Sequence, residues 1–271
     1  MTDGERTTLL VGLPESGKST YLGALYYLLR TGRDEALRLS SEPAEKQYLQ
    51  ELENNWLRYQ PFERSRHPGA IAVELDLIGA HVGEISLEIP DISGETYSHL
   101  WEDGLWSQSV LDLTLKSDGL IVFLHPQTVK KPELIDVIAS KDPGSDKWVE
   151  WLAELSPTQA VLCDLLEQVE AQRGASLPRI AVVISAWDTV ADLGIEPNRW
   201  LELEVPLLWQ WLYGQEGDLE FRCFGISAQG GDVSDEETRK RLAEGGDPLK
   251  RITEGPGTDG LLDPLLWLLA P

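Results

Sequence analysis

The sequence predicts an α/β protein of three layers, with helices on both faces of a mostly parallel six-stranded sheet and one antiparallel edge strand. Three observations carry that expectation. Apolar runs of strand length alternate with stretches of helical periodicity along almost the whole chain, as parallel strands with crossover helices require. Near the start, a strand passes through a glycine-bearing turn directly into a helix. Polar motifs then fall just after successive strands, at the ends where open α/β sheets take their ligands.

The first unit begins with Thr7-Thr8-Leu9-Leu10-Val11, a short buried strand. Gly12-Leu13-Pro14-Glu15-Ser16-Gly17-Lys18-Ser19-Thr20 follows and fits G-x-x-x-x-G-K-[ST] without a mismatch, while Tyr21, Ala24, Leu25, Leu28 and Leu29 continue at helical spacing. A strand that turns sharply into a helix aims several backbone N–H groups and the positive end of the helix dipole at one spot, which is an anion site. Gly12 and Gly17 let the backbone wrap a phosphate. Glu15, Ser16, Gly17, Lys18, Ser19 and Thr20 are the residues expected around it, with Lys18 reaching the β/γ-phosphates and the Ser19 hydroxyl ligating Mg²⁺. A glycine-rich surface turn can match the pattern by chance, but the strand before and the helix after argue against that. The pattern implies a nucleoside triphosphate site in a P-loop NTPase fold.

The remaining elements follow in order. Ser41 to Arg58 is helix-prone, and the prolines and glycine of 59–69 then break regular structure. Ile71 to Gly79 alternates apolar and charged residues, the pattern of an edge strand, and pairs antiparallel with Gly83 to Ile89 through a short turn. Pro90 to Glu95 is a loop before a helical stretch holding Trp101, Leu105, Trp106 and Leu111. Asp118 to Pro126 contains a buried central strand, and 127–155 reads as an insertion on the sheet rim. A helix (Pro157 to Gln172), a strand (Arg179 to Ser185), a helical region (Asn198 to Tyr213) and a last strand (Leu219 to Ile226) complete the alternation. The stretch 229–258, rich in Gly, Asp and Glu, reads as a long polar loop. The layout is one domain over 1–271, with elaborations at 33–70, 127–155 and 229–258.

Three more motifs stand in the same order as their strands. Asp91-Ile92-Ser93-Gly94 fits D-x-x-G, in which the Asp holds Mg²⁺ through water and the Gly N–H senses a γ-phosphate; alone, such a pattern is an ordinary turn. Ser185-Ala186-Trp187-Asp188 places a carboxylate where it can accept from guanine N1–H and the exocyclic amine, donors that adenine does not offer together. A helix-capping Asp after a strand would look the same. Ser227-Ala228 follows the next strand, where a backbone N–H can meet guanine O6, although a small-residue turn is equally consistent. Together these residues resemble the translation-factor-related class of GTPases over nearly the whole chain. They more closely resemble the bacterial double-GTPase-type domains found beside prokaryotic conflict and defence genes, on Asp91 to Glu95, Ser185 to Asp188, and the closing Asp263-Pro264-Leu265-Leu266-Trp267-Leu268-Leu269.

That resemblance implies GTP and GDP as ligands, Mg²⁺ as cofactor, GTP hydrolysis, and use of the chain as a conformational switch. The base reader departs from the usual N-K-x-D, with Ser185 and Ala186 in place of Asn and Lys. The elaboration at 33–70 would carry the first switch, for which the class uses a Thr; no Thr occurs between Thr31 and Thr96, and Ser65 is the candidate metal ligand and catalytic residue. Arg64 beside it either contacts the γ-phosphate or is a solvated charge. Gly94 and Glu95 complete the catalytic set with Lys18. Glu95 follows the switch glycine where many GTPases keep a water-orienting Gln; there it orients or deprotonates water, or is a solvated acid.

Composition narrows the partners. The net charge of −23, without a basic stripe, argues against nucleic acid and against an anionic membrane surface. No apolar run approaches the ~20 residues that span a bilayer, and the N-terminus lacks signal-peptide character. Two isolated cysteines, Cys163 and Cys223, make neither a zinc site nor a disulfide framework, so the cytoplasm is the expected location, while the acidity leaves proteins as the expected macromolecular partners. Trp101 and Trp106 are core packing or a partner surface. A small-molecule kinase or ATPase would want an arginine-rich lid, and 127–155 holds no arginine. A nucleotide-occupied interaction module with negligible turnover is the alternative to a working switch.

Overall fold

The computed structural model describes residues 5–60, 70–80, 82–132, 153–174, 179–215 and 219–270. Among them the chain runs β1 (Glu5–Val11), α1 (Lys18–Thr31), β2 (Arg38–Leu39), α2 (Lys46–Leu57), β3 (Ala70–Gly79), β4 (Gly83–Ile92), α3 (Gly94–Asp103), α4 (Gln108–Lys116) and β5 (Gly119–Leu124). It continues with α5 (Thr158–Arg173), β6 (Arg179–Ser185), α6 (Pro197–Glu204), α7 (Pro206–Gly214), β7 (Glu220–Ser227), α8 (Glu236–Glu244), β8 (Thr253–Glu254) and α9 (Asp263–Leu269). The sheet order is β2-β3-β4-β1-β5-β6-β7-β8. β4, β1, β5, β6 and β7 are mutually parallel, whereas β2, β3 and β8 join antiparallel.

Alternate residues of the parallel strands face two cores, so the sheet is buried on both sides. Leu10, Ile121, Phe123 and Val183 pack with α1, α2 and α9 on one face. Leu9, Val11, Leu120, Val122 and Ile184 pack with residues of α3 to α7 on the other. Each such side chain contributes about 1.5–3 kcal/mol when fully buried, which is why these strands read as continuous apolar runs rather than alternating ones.

Four expectations change in detail. The sheet has eight strands among the described residues, not six, because β2 and β8 pair over two residues each and leave no period-two signature. They form the two edges, so β3 is an inner strand, although its pairing with β4 runs from Gly79↔Gly83 inward as the sequence suggested. Gly104, at φ 63°, separates α3 from α4, and Pro206 starts a new helix after Val205 because proline cannot continue the hydrogen-bond ladder. The stretch 229–258 is not a loop. Asp235 caps α8 by accepting from Thr238 N at 2.8 Å, a single 3₁₀ turn covers Pro248–Arg251, and β8 follows. Its polar composition hid the order because an anchor is charged: Arg251, 7% exposed, stacks against Trp56 and Tyr59, with no acid paired to it among the described residues. Most of the expected rim insertion, residues 133–152, lies outside the described residues.

Candidate functional site

The C-terminal ends of the parallel strands meet along one edge, with the strand order reversing about β1, whose neighbours are β4 and β5. A cavity of 340 Å³ opens there. Glu15, Ser16, Gly17, Lys18, Ser19 and Thr20 line it together with Gly94, Glu95, Ser185, Asp188, Ser227 and Ala228. Four stretches separated along the chain thus share one space.

The phosphate loop bends because Glu15 and Gly17 adopt left-handed φ angles of 62° and 93°, with Ser16 N donating to Leu13 O. Glu15 is exposed and bears the conformation at a cost that Gly17 avoids. Lys18, 6% exposed, donates to Gly12 O at 2.5 Å and lies 3.3 Å from Leu13 O and from Ser16 Oγ. These contacts hold the ammonium at the turn between strand and helix. Gly12 itself stands behind the loop and does not line the cavity; a Cβ there would lie 2.6 Å from Ser16 Oγ.

The second motif closes onto this loop. β4 runs to Ile92, Ser93 accepts from Thr96 N at 3.2 Å, and α3 begins at Gly94 itself rather than after a loop. A Cβ on Gly94 would stand 2.3 Å from Pro14 N and 2.6 Å from Leu13 C, so its peptide rests on the phosphate loop with no clearance for a side chain. Glu95 follows in the first helical turn, where the dipole favours a carboxylate, and it reaches the cavity. Tyr97 OH donates to Leu10 O at 2.8 Å and fixes α3 to β1. Asp91 is carried on β4 opposite Ile71, and its side chain lies outside the described residues, as do Arg64 and Ser65 entirely.

The third motif is anchored by its least expected member. Ala186 takes φ 45° and starts a 3₁₀ turn over Trp187–Thr189. Trp187 is buried against β7 and the chain after β8, where a Cβ on Gly225 would come within 2.5 Å of the indole and one on Gly255 within 2.7 Å. The next residue, Asp188, lines the cavity, and its Oδ1 is buried with no partner among the described residues. A buried acceptor left unpaired costs about 1–3 kcal/mol, which a ligand donor would recover. Ser185 serves the scaffold instead: its hydroxyl lies 2.8 Å from Ser16 O and 3.2 Å from Leu124 O, joining β6 to the phosphate loop. Ser227 Oγ accepts from Gly230 N at 2.9 Å, and Ala228 O accepts from Trp56 Nε1 at 2.8 Å.

Further lining residues escaped the sequence reading. His125 follows β5 as the motifs follow their strands, and that position was the available signal. Burial holds its imidazole below the usual histidine range, although the carboxylates of Asp188, Glu15 and Asp232 pull the other way. Gln60, Gln229 and Asp232 also line the cavity. Lys18 is the only lysine or arginine among the described lining residues, against the carboxylates of Glu15, Glu95, Asp188 and Asp232. Ser19 offers a single hydroxyl at the start of α1, which suits Mg²⁺ held mainly by phosphate oxygens and water.

Trp101 and Trp106 are half-buried, and each indole N–H is engaged, to Ser156 Oγ at 3.1 Å and to Gln168 Oε1 at 3.0 Å. Leu105 between them is 75% exposed. No helix is long and apolar enough to cross a membrane among the described residues.

No curated protein matches the sequence. Among solved structures, the chain is similar to the crystal structure of bacterial selenocysteine-specific elongation factor EF-Sec, at 13% identity and a TM-score of 0.39, with 90% of this chain and 29% of that chain covered. The chain therefore spans less than a third of that protein's length. A model of the Double-GTPase 1 family matches residues 9–268, which take in the phosphate loop, Gly94, Asp188 and Ser227. The chain belongs to the Double-GTPase 1 family and is a P-loop GTPase of the double-GTPase type.

Proposed function

We propose that this chain, acting as a single domain over 1–271, binds GTP with Mg²⁺, hydrolyses it to GDP and switches its conformation toward a protein partner. The observation that carries the reading is the cavity shared by the phosphate loop, Glu95 and the Asp188 acceptor that has no partner among the described residues. Lys18 and the amides of 15–20 take the β/γ-phosphates, and Asp188 takes the base. Ser19, with Asp91 and Ser65 of the switches, would hold Mg²⁺, which would supply positive charge against the phosphates. Glu95 orients the water that attacks the γ-phosphorus in line with the leaving β-phosphate oxygen. The Gly94 peptide, resting on Pro14, moves with whatever occupies the γ-phosphate position. Loss of that phosphate would free α3 and the connection that follows it, where Trp106 donates to Gln168 of α5, and would alter the surface around exposed Leu105. The resemblance to conflict-associated domains and the acidic charge support a protein partner in a bacterial defence system, in the cytoplasm.

Identifying the nucleotide released from denatured protein tests the ligand; release of ADP or ATP alone would refute the assignment. Single-turnover hydrolysis tests the chemistry. Glu95→Ala lowers the rate constant by about tenfold or more while GTP affinity stays within twofold, because water orientation is felt in the transition state. An unchanged rate removes Glu95 from the mechanism. No hydrolysis in the wild type favours the nucleotide-occupied interaction module, for which the missing switch Thr and the carboxylate at Glu95 speak.

A further inference from the structure

Asp188 would leave half of a guanine unread. Its carboxylate accepts from N1–H and the 2-amino group, whereas the 6-oxo oxygen needs donors. Gln229 offers one. It follows Ser227 and Ala228 directly and lines the same cavity as Asp188, and its Nε2 is buried with no partner among the described residues. Of the buried side-chain nitrogens and oxygens left without a partner there, those of Asp188 and Gln229 are the ones that line this cavity. They are of opposite sense, an acceptor and a donor, as one edge of guanine demands. We propose that Gln229 is a specificity-determining residue of the base site, donating its side-chain amide to the 6-oxo group beside the backbone N–H of Ala228. The proposal rests on the reading of Asp188 as the base acceptor.

The loop that carries Gln229 is braced on both sides. Ala228 O accepts from Trp56 Nε1 at 2.8 Å, and Gly230 N donates to Ser227 Oγ at 2.9 Å. Gly230, at φ 75°, leaves no room for a Cβ, which would stand 1.9 Å from Arg251 O. Arg251 in turn lies 4.0 Å from the Trp56 ring centroid and 4.4 Å from that of Tyr59, and its Nη2 donates to Trp56 O at 2.5 Å. α2 and the turn at Pro248–Arg251 therefore pin the residues flanking Gln229. A backbone so fixed needs no rearrangement to present the donor, so the ordering cost on binding is confined to the side chain's own rotamers.

Competition titrations with GTP, ITP and 6-thio-GTP separate the two base contacts. ITP lacks the 2-amino group and reports on Asp188. 6-Thio-GTP keeps N1–H and the amine but offers a weak acceptor at position 6, and reports on the donors there. Gln229→Ala is expected to lower the GTP to 6-thio-GTP preference by about fivefold to tenfold, the effect of one neutral hydrogen bond, with the GTP to ITP ratio unmoved. Gln229→Met keeps the side-chain length without its polar atoms and gives the same result in a filled loop. Gln229→Glu, with acceptors only, binds GTP more weakly than Gln229→Ala. A 6-thio ratio unmoved in both the Ala and Met variants, or a Glu variant that binds GTP like wild type, overturns the proposal while the Asp188 reading stands. A wild-type GTP to ITP ratio near one overturns the Asp188 reading, and this proposal with it.

Discussion

Asp188→Asn moves the nucleotide preference from GTP to xanthosine triphosphate. In the wild type, GTP is expected to outcompete ATP by well over a hundredfold, since about 3 kcal/mol rides on a carboxylate that accepts two hydrogen bonds. The buried Oδ1 of Asp188, without a partner among the described residues, is the atom on which that discrimination depends, because adenine would leave it without a donor. An Asn side chain at 188 would repel the 2-amino group with its own NH₂ yet donate to the 2-oxo group of xanthine. Trp187 stays buried in the variant and keeps the turn in place, so the exchange is isosteric. Ala186 leaves the base without the covering stem of a lysine, which sets an upper limit on discrimination rather than its direction. The measurement is a competition titration of both proteins against GTP, ATP and XTP. Equal GTP and ATP affinity in the wild type, or a variant that still prefers GTP, would mean that this loop does not read the base.

Lys18→Ala weakens GTP binding by at least tenfold. Lys18 is 6% exposed and its ammonium sits among Gly12 O, Leu13 O and Ser16 Oγ, so its charge reaches a bound phosphate with little screening by water. A single charge-assisted contact to an anion is worth about 1.5–3 kcal/mol, the tenfold figure being its lower end. The variant keeps the fold, because the apolar face of α1 that packs against the sheet is untouched. Ser19→Ala removes a hydroxyl from the same turn and is expected to lower affinity only when magnesium is present. Isothermal calorimetry with GTP decides it: unchanged affinity in Lys18→Ala removes the phosphate-loop assignment.

Much of this was legible because strand, turn and helix leave short-range signals. The phosphate loop, the strand Arg179–Ser185 and the antiparallel pairing of β3 with β4 follow from spacing and turn chemistry alone. What stayed hidden depends on contacts across long separations. β8 exists as a strand because it meets β7, and the order of 229–258 depends on Arg251 finding Trp56 and Tyr59, a distance in sequence that no local pattern encodes. In the site, the place of Asp188 on the cavity was readable from its position after a strand. The reason its neighbour is Trp187 was not, because that indole fits only where Gly225 and Gly255 leave space for it.

The carboxylates around the cavity have a kinetic consequence. An incoming nucleoside triphosphate approaches a protein of net charge −23 through a cavity that, among the described residues, is lined by Glu15, Glu95, Asp188 and Asp232 and by one lysine. The long-range force on that approach is repulsive, and attraction takes over only within the reach of the Lys18 ammonium and the loop amides. Salt, with a screening length of about 8 Å at physiological strength, weakens the repulsion more than the close contacts. The association rate constant for GTP, followed by stopped flow, therefore rises as salt is added, opposite to the usual behaviour of electrostatically steered ligands. Slow entry, followed by retention through contacts made after entry, is the expected behaviour.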